Sequence, residues 1–158
     1  ETGVSALKKN HPGVKSLRDA TMDMLNDIKD TLDSTVYNRC AYVIQEKDRV
    51  LEAVEALKAN NLKRVGELLY ETHEGLSTMY EVSCPELDFL VEFTKNHEAV
   101  LGARMMGGGF GGCTINLIHE DAIDDFVAAA SKAYKKACNL ELTWFEASPS
   151  KGTSILNE

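Results

Sequence analysis

The sequence has no apolar run that approaches the roughly 20 residues a membrane-spanning helix requires. Its start, Glu1-Thr2-Gly3, lacks the basic, apolar and small-residue zones of a secretory signal peptide. The four cysteines form no CxxC pair, which excludes the usual zinc-knuckle and thioredoxin-like redox patterns. We therefore expect a cytoplasmic protein with reduced thiols, and we assign no metal ligands.

An excess of basic residues is also lacking. Seventeen Lys and Arg against 25 Asp and Glu give a formal charge of -8, which disfavours nucleic acid and anionic membranes as partners. A length of 158 residues, with 44% hydrophobic and 27% charged residues, predicts one globular domain spanning 1–158. Since the first residue is Glu and the first methionine is Met22, we expect the chain to be a piece of a longer one.

Apolar periodicity indicates helices first and strands later. The predicted helices cover 12–35, 38–59, 62–76, a segment beginning at a Ser83–Glu86 capping box, and 121–137. The predicted strands cover 99–106, 113–119 and 140–147, with a short end strand around Ile155. This order predicts an α+β fold in which an antiparallel sheet carries helices on one face.

Five of the 11 glycines lie in one segment, Gly107-Gly108-Gly109-Phe110-Gly111-Gly112, between two predicted strands. Glycine permits positive φ and close approach of a ligand, and successive exposed N–H groups can bind an anion. A plain hairpin turn needs only one or two glycines. The segment therefore favours a nucleotide or phosphate role over a purely structural turn.

The common phosphate signatures do not fit this segment. Cys113 stands where a P-loop needs lysine, and β-rich sequence follows where a dinucleotide fold needs a helix. A protein-kinase glycine loop is excluded because no VAIK, HRD or DFG segment follows. The residues alone thus indicate a glycine-rich loop near a ligand.

Two segments carry a family resemblance. Residues 102–114 read GARMMGGGFGGCT and closely resemble the third motif of galactokinases, within the GHMP small-molecule kinase superfamily. Residues 80–88 read YEVSCPELD and resemble the segment that galactokinases carry upstream of that motif. The resemblance is weaker at 39–46 and 149–156, and it covers most of the chain after about Val36.

The resemblance implies the ferredoxin-like carboxy-terminal domain of an ATP- and Mg²⁺-dependent kinase that phosphorylates the anomeric hydroxyl of galactose, the entry step of the Leloir pathway. It also implies that the sugar ligands, the second phosphate loop and the catalytic base belong to an amino-terminal domain absent from this chain. That domain would be the partner of this chain, which alone is expected to be inactive. Other sugar kinases, for N-acetylgalactosamine, arabinose or galacturonate, and a non-catalytic galactose sensor are the alternatives.

By the same resemblance, a positioning loop borders the ATP and phosphate cleft, and no catalytic residue is assigned in this chain. The members of this loop are Arg104, Met106, Gly107, Gly108, Gly109, Phe110, Gly111 and Gly112. Met106 stands where many relatives have Thr or Ser. Arg104 has two equal interpretations, which are binding phosphate or the other domain, and pairing with a local acid.

Several neighbouring residues have plain structural interpretations. Phe110 is expected to pack beneath the loop, and Cys113 is expected to pack at the strand start. His73 lacks a second histidine at metal spacing, so we expect a surface or cap role. Asp88 is expected to face solvent.

Overall fold

The computed structural model describes residues 1–150 together with residues 152 and 155. The α-helices in these residues are α1 (Thr2–Asn10), α2 (Met22–Asn26), α3 (Ser34–Lys58), α4 (Leu62–Thr78), α5 (Pro85–Thr94) and α6 (Ile123–Cys138). Strands β1 (Val100–Met106) and β2 (Cys113–Ile118) pair antiparallel, with Met106 opposite Cys113. The α+β prediction and both of these strands are confirmed.

The single helix predicted over 12–35 is wrong. Short polar side chains divide this segment into α2 and two 3₁₀ turns, Leu17–Asp19 and Lys29–Thr31. The carboxylate of Asp19 accepts the backbone N–H of Ser16 at 2.9 Å, and the hydroxyl of Thr21 accepts the backbone N–H of Met24 in the first turn of α2. Such local bonds compete with a continuous helix. The apolar residues still form one core, which includes Leu25, Ile28 and Ile44.

The strand predicted over 140–147 is also wrong. Residues 141–150 adopt no regular secondary structure, and Trp144 and Phe145 are 48% and 77% exposed. The β-forming composition of this segment has no partner strand in the part of the chain that the structure describes, where β1 and β2 pair with each other. A strand is stabilised by its ladder and its covered face, so propensity alone does not form one. The end strand around Ile155 lies mostly outside the described residues.

Helix α4 lies directly on β1 and positions the rest of the domain. The two backbones approach closely at Gly66 and Gly102, where a Cβ atom on either glycine would overlap the backbone of the other element. Leu68 of α4 and Ala103 and Met105 of β1 are buried in this contact region. Because α4 is fixed on β1 and α5 also contacts β1, the glycine segment emerges beside the end of α4.

Candidate functional site

The glycine segment forms the loop that joins β1 to β2. Four of its glycines have positive φ, at 99°, 88°, 132° and 104° for Gly107, Gly109, Gly111 and Gly112. A Cβ atom on Gly107, Gly108 or Gly111 would meet nothing within 4 Å. The loop therefore projects from the domain with open space around most of its backbone. We call residues 107–112 the glycine loop.

A backbone hydrogen bond anchors the tip of the glycine loop. The N–H of Phe110 donates to the carbonyl oxygen of Val82 at 2.7 Å, and the N–H of Val82 donates to Leu76 at the end of α4 at 3.0 Å. Gly109 is fitted to this contact, because a Cβ atom there would lie 2.8 Å from the Val82 Cβ and closer still to its carbonyl oxygen. The two segments that carry the family resemblance thus meet at Val82.

The chain before Val82 is held in an unusual backbone conformation. Glu81 has a φ of 59°, which non-glycine residues seldom adopt. Its carboxylate pairs with Arg39 at 3.3 Å, and the neighbouring Tyr80 ring lies 5.2 Å from the ring of Tyr42. Burial raises the pKa of Tyr42 to about 12, so its hydroxyl stays neutral. These contacts fix the direction in which the Val82 carbonyl points.

The predicted surface role of His73 is wrong. Its side chain is 8% exposed, Nδ1 accepts the backbone N–H of Met105 at 3.1 Å, and Nε2 lies 3.1 Å from Oδ1 of Asp88. The sequence did contain a signal, because His73 follows Leu69 by four residues and precedes Leu76 by three, on the apolar face of α4. A polar residue on that face must find buried partners.

Asp88, expected to face solvent, is half exposed but bonded at both oxygens. It accepts hydrogen bonds from the hydroxyls of Ser83 at 2.5 Å and Ser77 at 3.1 Å. The predicted capping box between Ser83 and Glu86 does not form. Cys84 occupies the N-cap position and Pro85 opens α5, which leaves the Ser83 hydroxyl free to bond Asp88.

The ionisation of His73 follows from this setting. Burial lowers the pKa of His73, and the nearby Asp88 carboxylate opposes that effect in part. The neutral ring suits the geometry, because an unprotonated Nδ1 is required to accept the Met105 N–H.

We expect the free energy of unfolding to fall as the pH drops through the region below about 6.5. The unfolded chain binds a proton at His73 in that region, whereas the folded chain resists it because its pKa is lowered. The contribution of His73 to the free energy of unfolding is fully present above the pKa of His73 in the unfolded chain. It is lost as the pH falls toward the lower pKa of the folded chain. Urea unfolding at several pH values, compared between wild type and His73→Gln, measures it.

The matched control is His119→Gln, which replaces an exposed histidine. It should retain the wild-type pH slope, whereas His73→Gln should flatten that slope. An unchanged slope in His73→Gln would contradict the role given to His73.

The remaining predicted residues take the following positions. Arg104 is half-buried and donates to the carbonyl of Met105 at 3.0 Å, and within the described residues it pairs with no acid, so a local acid partner is wrong. Phe110 is 77% exposed and Cys113 is exposed, so the packing roles predicted for both are wrong. Met106 is 39% exposed at the start of the glycine loop.

The glycine loop can offer backbone N–H groups as hydrogen-bond donors, and Arg104 precedes it on β1. No group of three or more His, Cys, Asp or Glu side chains in the described part of the chain is placed to hold a metal ion. Successive backbone N–H groups in a loop of positive-φ glycines suit an anion such as phosphate. No helix across residues 1–150 is long and apolar enough to cross a bilayer.

Comparison with known proteins identifies the class. The family described as GHMP kinases C terminal matches residues 53–136, more than half of the chain. This chain belongs to that family. The matched range contains both strands, the glycine loop, all of α4 and α5, most of α6 and the last turns of α3.

The relatives narrow the resemblance to galactokinases. The chain is 40% identical to the galactokinase of Thermotoga neapolitana over 89% of this chain, and 39% identical to that of Clostridium perfringens over 94%. The crystal structure of Lactococcus lactis galactokinase complexed with galactose superposes with a TM-score of 0.82 at 32% identity over 87% of this chain. The chain spans 39%, 38% and 36% of these proteins, about two fifths of their length.

Proposed function

We propose that this chain is the carboxy-terminal domain of a galactokinase, which transfers the γ-phosphoryl group of ATP to the anomeric hydroxyl of galactose and yields galactose 1-phosphate. The observation that carries the proposal is the sequence identity of 40% and 39% with two galactokinases, over 89% and 94% of this chain. A cytoplasmic location belongs to the same proposal.

In this function the glycine loop positions the phosphates of ATP. The backbone N–H groups of the loop glycines and the guanidinium of Arg104 would be the donors, whereas the N–H of Phe110 is bonded to Val82. Phosphoryl transfer depends on alignment of donor and acceptor and on neutralising charge on the phosphate oxygens. The loop and Arg104 would align the phosphates of ATP and neutralise charge on their oxygens. No residue of this chain is assigned proton transfer.

The complete enzyme needs a second domain in this proposal. That amino-terminal domain would supply the catalytic base, the sugar ligands, a further phosphate loop and the contacts to Mg²⁺. The share of the relatives that this chain spans supports a two-domain parent, and so does the exposure of Met106 and Phe110 beside the loop. Both side chains would then be covered by the other domain or by nucleotide.

We expect the complete protein to phosphorylate galactose with Mg-ATP and the isolated 158-residue chain to show no turnover. A coupled assay offering galactose, N-acetylgalactosamine, arabinose and galacturonate measures this. Galactose should exceed each competitor by about tenfold or more in kcat/KM, since hydrogen-bonding sites discriminate strongly between sugars. Binding of galactose and ATP without turnover would instead indicate a sensor.

A further inference from the structure

We propose that His73, Asp88 and Ser83 form a hydrogen-bonded circuit that holds the glycine loop at its start and its tip, which makes all three positioning residues for the nucleotide phosphates. The proposal rests on the proposed function for its effect on activity. Its structural part stands separately, on the contacts that follow. We call this set of bonds the loop circuit.

The first step fixes the start of the loop. Met105 is the penultimate residue of β1, two positions before Gly107. Its N–H donates to Nδ1 of the buried His73. The last residues of β1 are therefore tied to α4 by a side chain as well as to β2 by the sheet.

A second set of contacts, through Asp88, connects α4 to the segment before α5. Nε2 of His73 faces Oδ1 of Asp88 at 3.1 Å, and the same oxygen accepts the hydroxyl of Ser83 at 2.5 Å. Hydrogen bonds to an ionised carboxylate are stronger than neutral ones. The side chain of Ser83 is thereby tied to α5 and, through His73, to α4.

The third step reaches the tip of the loop. Val82 adjoins Ser83 along the chain, and its carbonyl accepts the N–H of Phe110. Glu81 and Phe110 both have φ values of 59°, so the two backbones that meet here are held in rarely occupied conformations. Such conformations persist only when surrounding contacts fix them. The circuit closes because the loop runs back to Met105.

The glycines of the loop make few contacts of their own. A Cβ atom on Gly107, Gly108 or Gly111 would meet no neighbour, whereas Gly109 abuts Val82. The position of the loop backbone thus depends on its start at Met105 and on its anchor at Val82, which Leu76 also holds through a backbone hydrogen bond. Loosening the circuit should shift the N–H groups of the loop while leaving the buried core of α4 and β1 in place.

The test uses Ser83→Ala and Asp88→Ala in the complete protein, with Asp88→Asn as the conservative variant. Asparagine retains an oxygen that can accept from His73 and Ser83, and its amide can donate to Ser77. Glu92→Ala is the matched control, because Glu92 lies one turn further along α5 and its carboxylate pairs with Lys95 at the surface.

The first readout is hydrogen exchange of the Phe110 amide without substrates. Ser83→Ala and Asp88→Ala should raise its exchange rate by about tenfold or more, while Asp88→Asn and Glu92→Ala stay near wild type. Exchange within α3 should not change. A wild-type Phe110 exchange rate in both alanine variants would overturn the loop circuit.

The second readout is steady-state kinetics with Mg-ATP and galactose. Both alanine variants should lower kcat/KM for ATP by about tenfold or more, and Asp88→Asn should restore most of it. The apparent KM for galactose should change less than that for ATP. Equal losses for both substrates, or none, would overturn the positioning role, whereas no turnover in the wild type would overturn the proposed function alone and leave the exchange result standing.

Discussion

Gly108→Val is expected to remove most of the phosphoryl-transfer activity of the complete protein and to leave its thermal unfolding midpoint unchanged. A Cβ atom on Gly108 would meet nothing within 4 Å in this chain, and Gly108 does not have positive φ. The branched side chain therefore costs the fold little and projects into the space that we assign to nucleotide. Misplacement of reacting groups by about 1 Å costs about 100-fold in rate, which sets the scale of the loss.

The control for this variant is Gly13→Val. Gly13 lies in an exposed turn, and a Cβ atom there also meets nothing within 4 Å. Activity and unfolding midpoint should both stay near wild type in this control. Full activity in Gly108→Val would show that the glycine loop is remote from the reacting groups. A midpoint that falls in step with activity would instead indicate a structural turn.

The parts of the fold that the sequence predicts are those governed by local periodicity. Helices α3 and α4 each carry a long apolar stripe, and Asn60 ends α3 with a φ of 53°. The 12–35 segment carries a similar stripe, but its Asp and Thr side chains cap short turns, so the apolar residues reach one core by another path. In the 12–35 segment periodicity indicates burial without an unbroken helix, whereas in α3 it indicates the helix although Leu51 and Leu57 of its stripe are exposed.

The segment 140–147 shows where composition fails as a predictor of secondary structure. Its composition favours a strand, yet the described residues contain no partner for it. Strand formation depends on pairing that is distant in sequence, so composition alone does not decide it.

The candidate site also has parts that the sequence predicts and parts that depend on contacts distant in sequence. The glycine loop is visible in the sequence because five glycines in six residues are rare. The anchor at Val82 could not be predicted from the sequence, because the group that accepts the Phe110 N–H is a backbone carbonyl oxygen and not a side chain. His73 could have been placed correctly from its position on α4, but its partners, Met105 and Asp88, are 32 and 15 residues away and follow only from the packing of α4 on β1 and α5.

Gly66→Ala is expected to destabilise the domain, although it adds only one methyl group inside helix α4. Helix propensity alone predicts the reverse, because alanine in place of glycine inside a helix is favourable by about 1 kcal/mol. The new Cβ atom would overlap the carbonyl of Leu101 and lie 3.0 Å from the N atom of Gly102. These are backbone atoms of a paired strand, so neither element can yield as a flexible side chain would. Overpacking of this kind costs about 3 kcal/mol, which exceeds the propensity gain and gives a net loss of about 2 kcal/mol.

Urea unfolding followed by circular dichroism measures this loss, with Gly13→Ala as the control that adds the same methyl group where no neighbour lies within 4 Å. The control should stay within about 0.5 kcal/mol of wild type. Gly66→Ala and Gly102→Ala should each destabilise, and the double variant should lose less than the sum, because the first substitution already separates α4 from β1. A stabilised Gly66→Ala protein would mean that α4 does not lie on β1 at backbone contact, and the placement of His73 beside Met105 would fall with it.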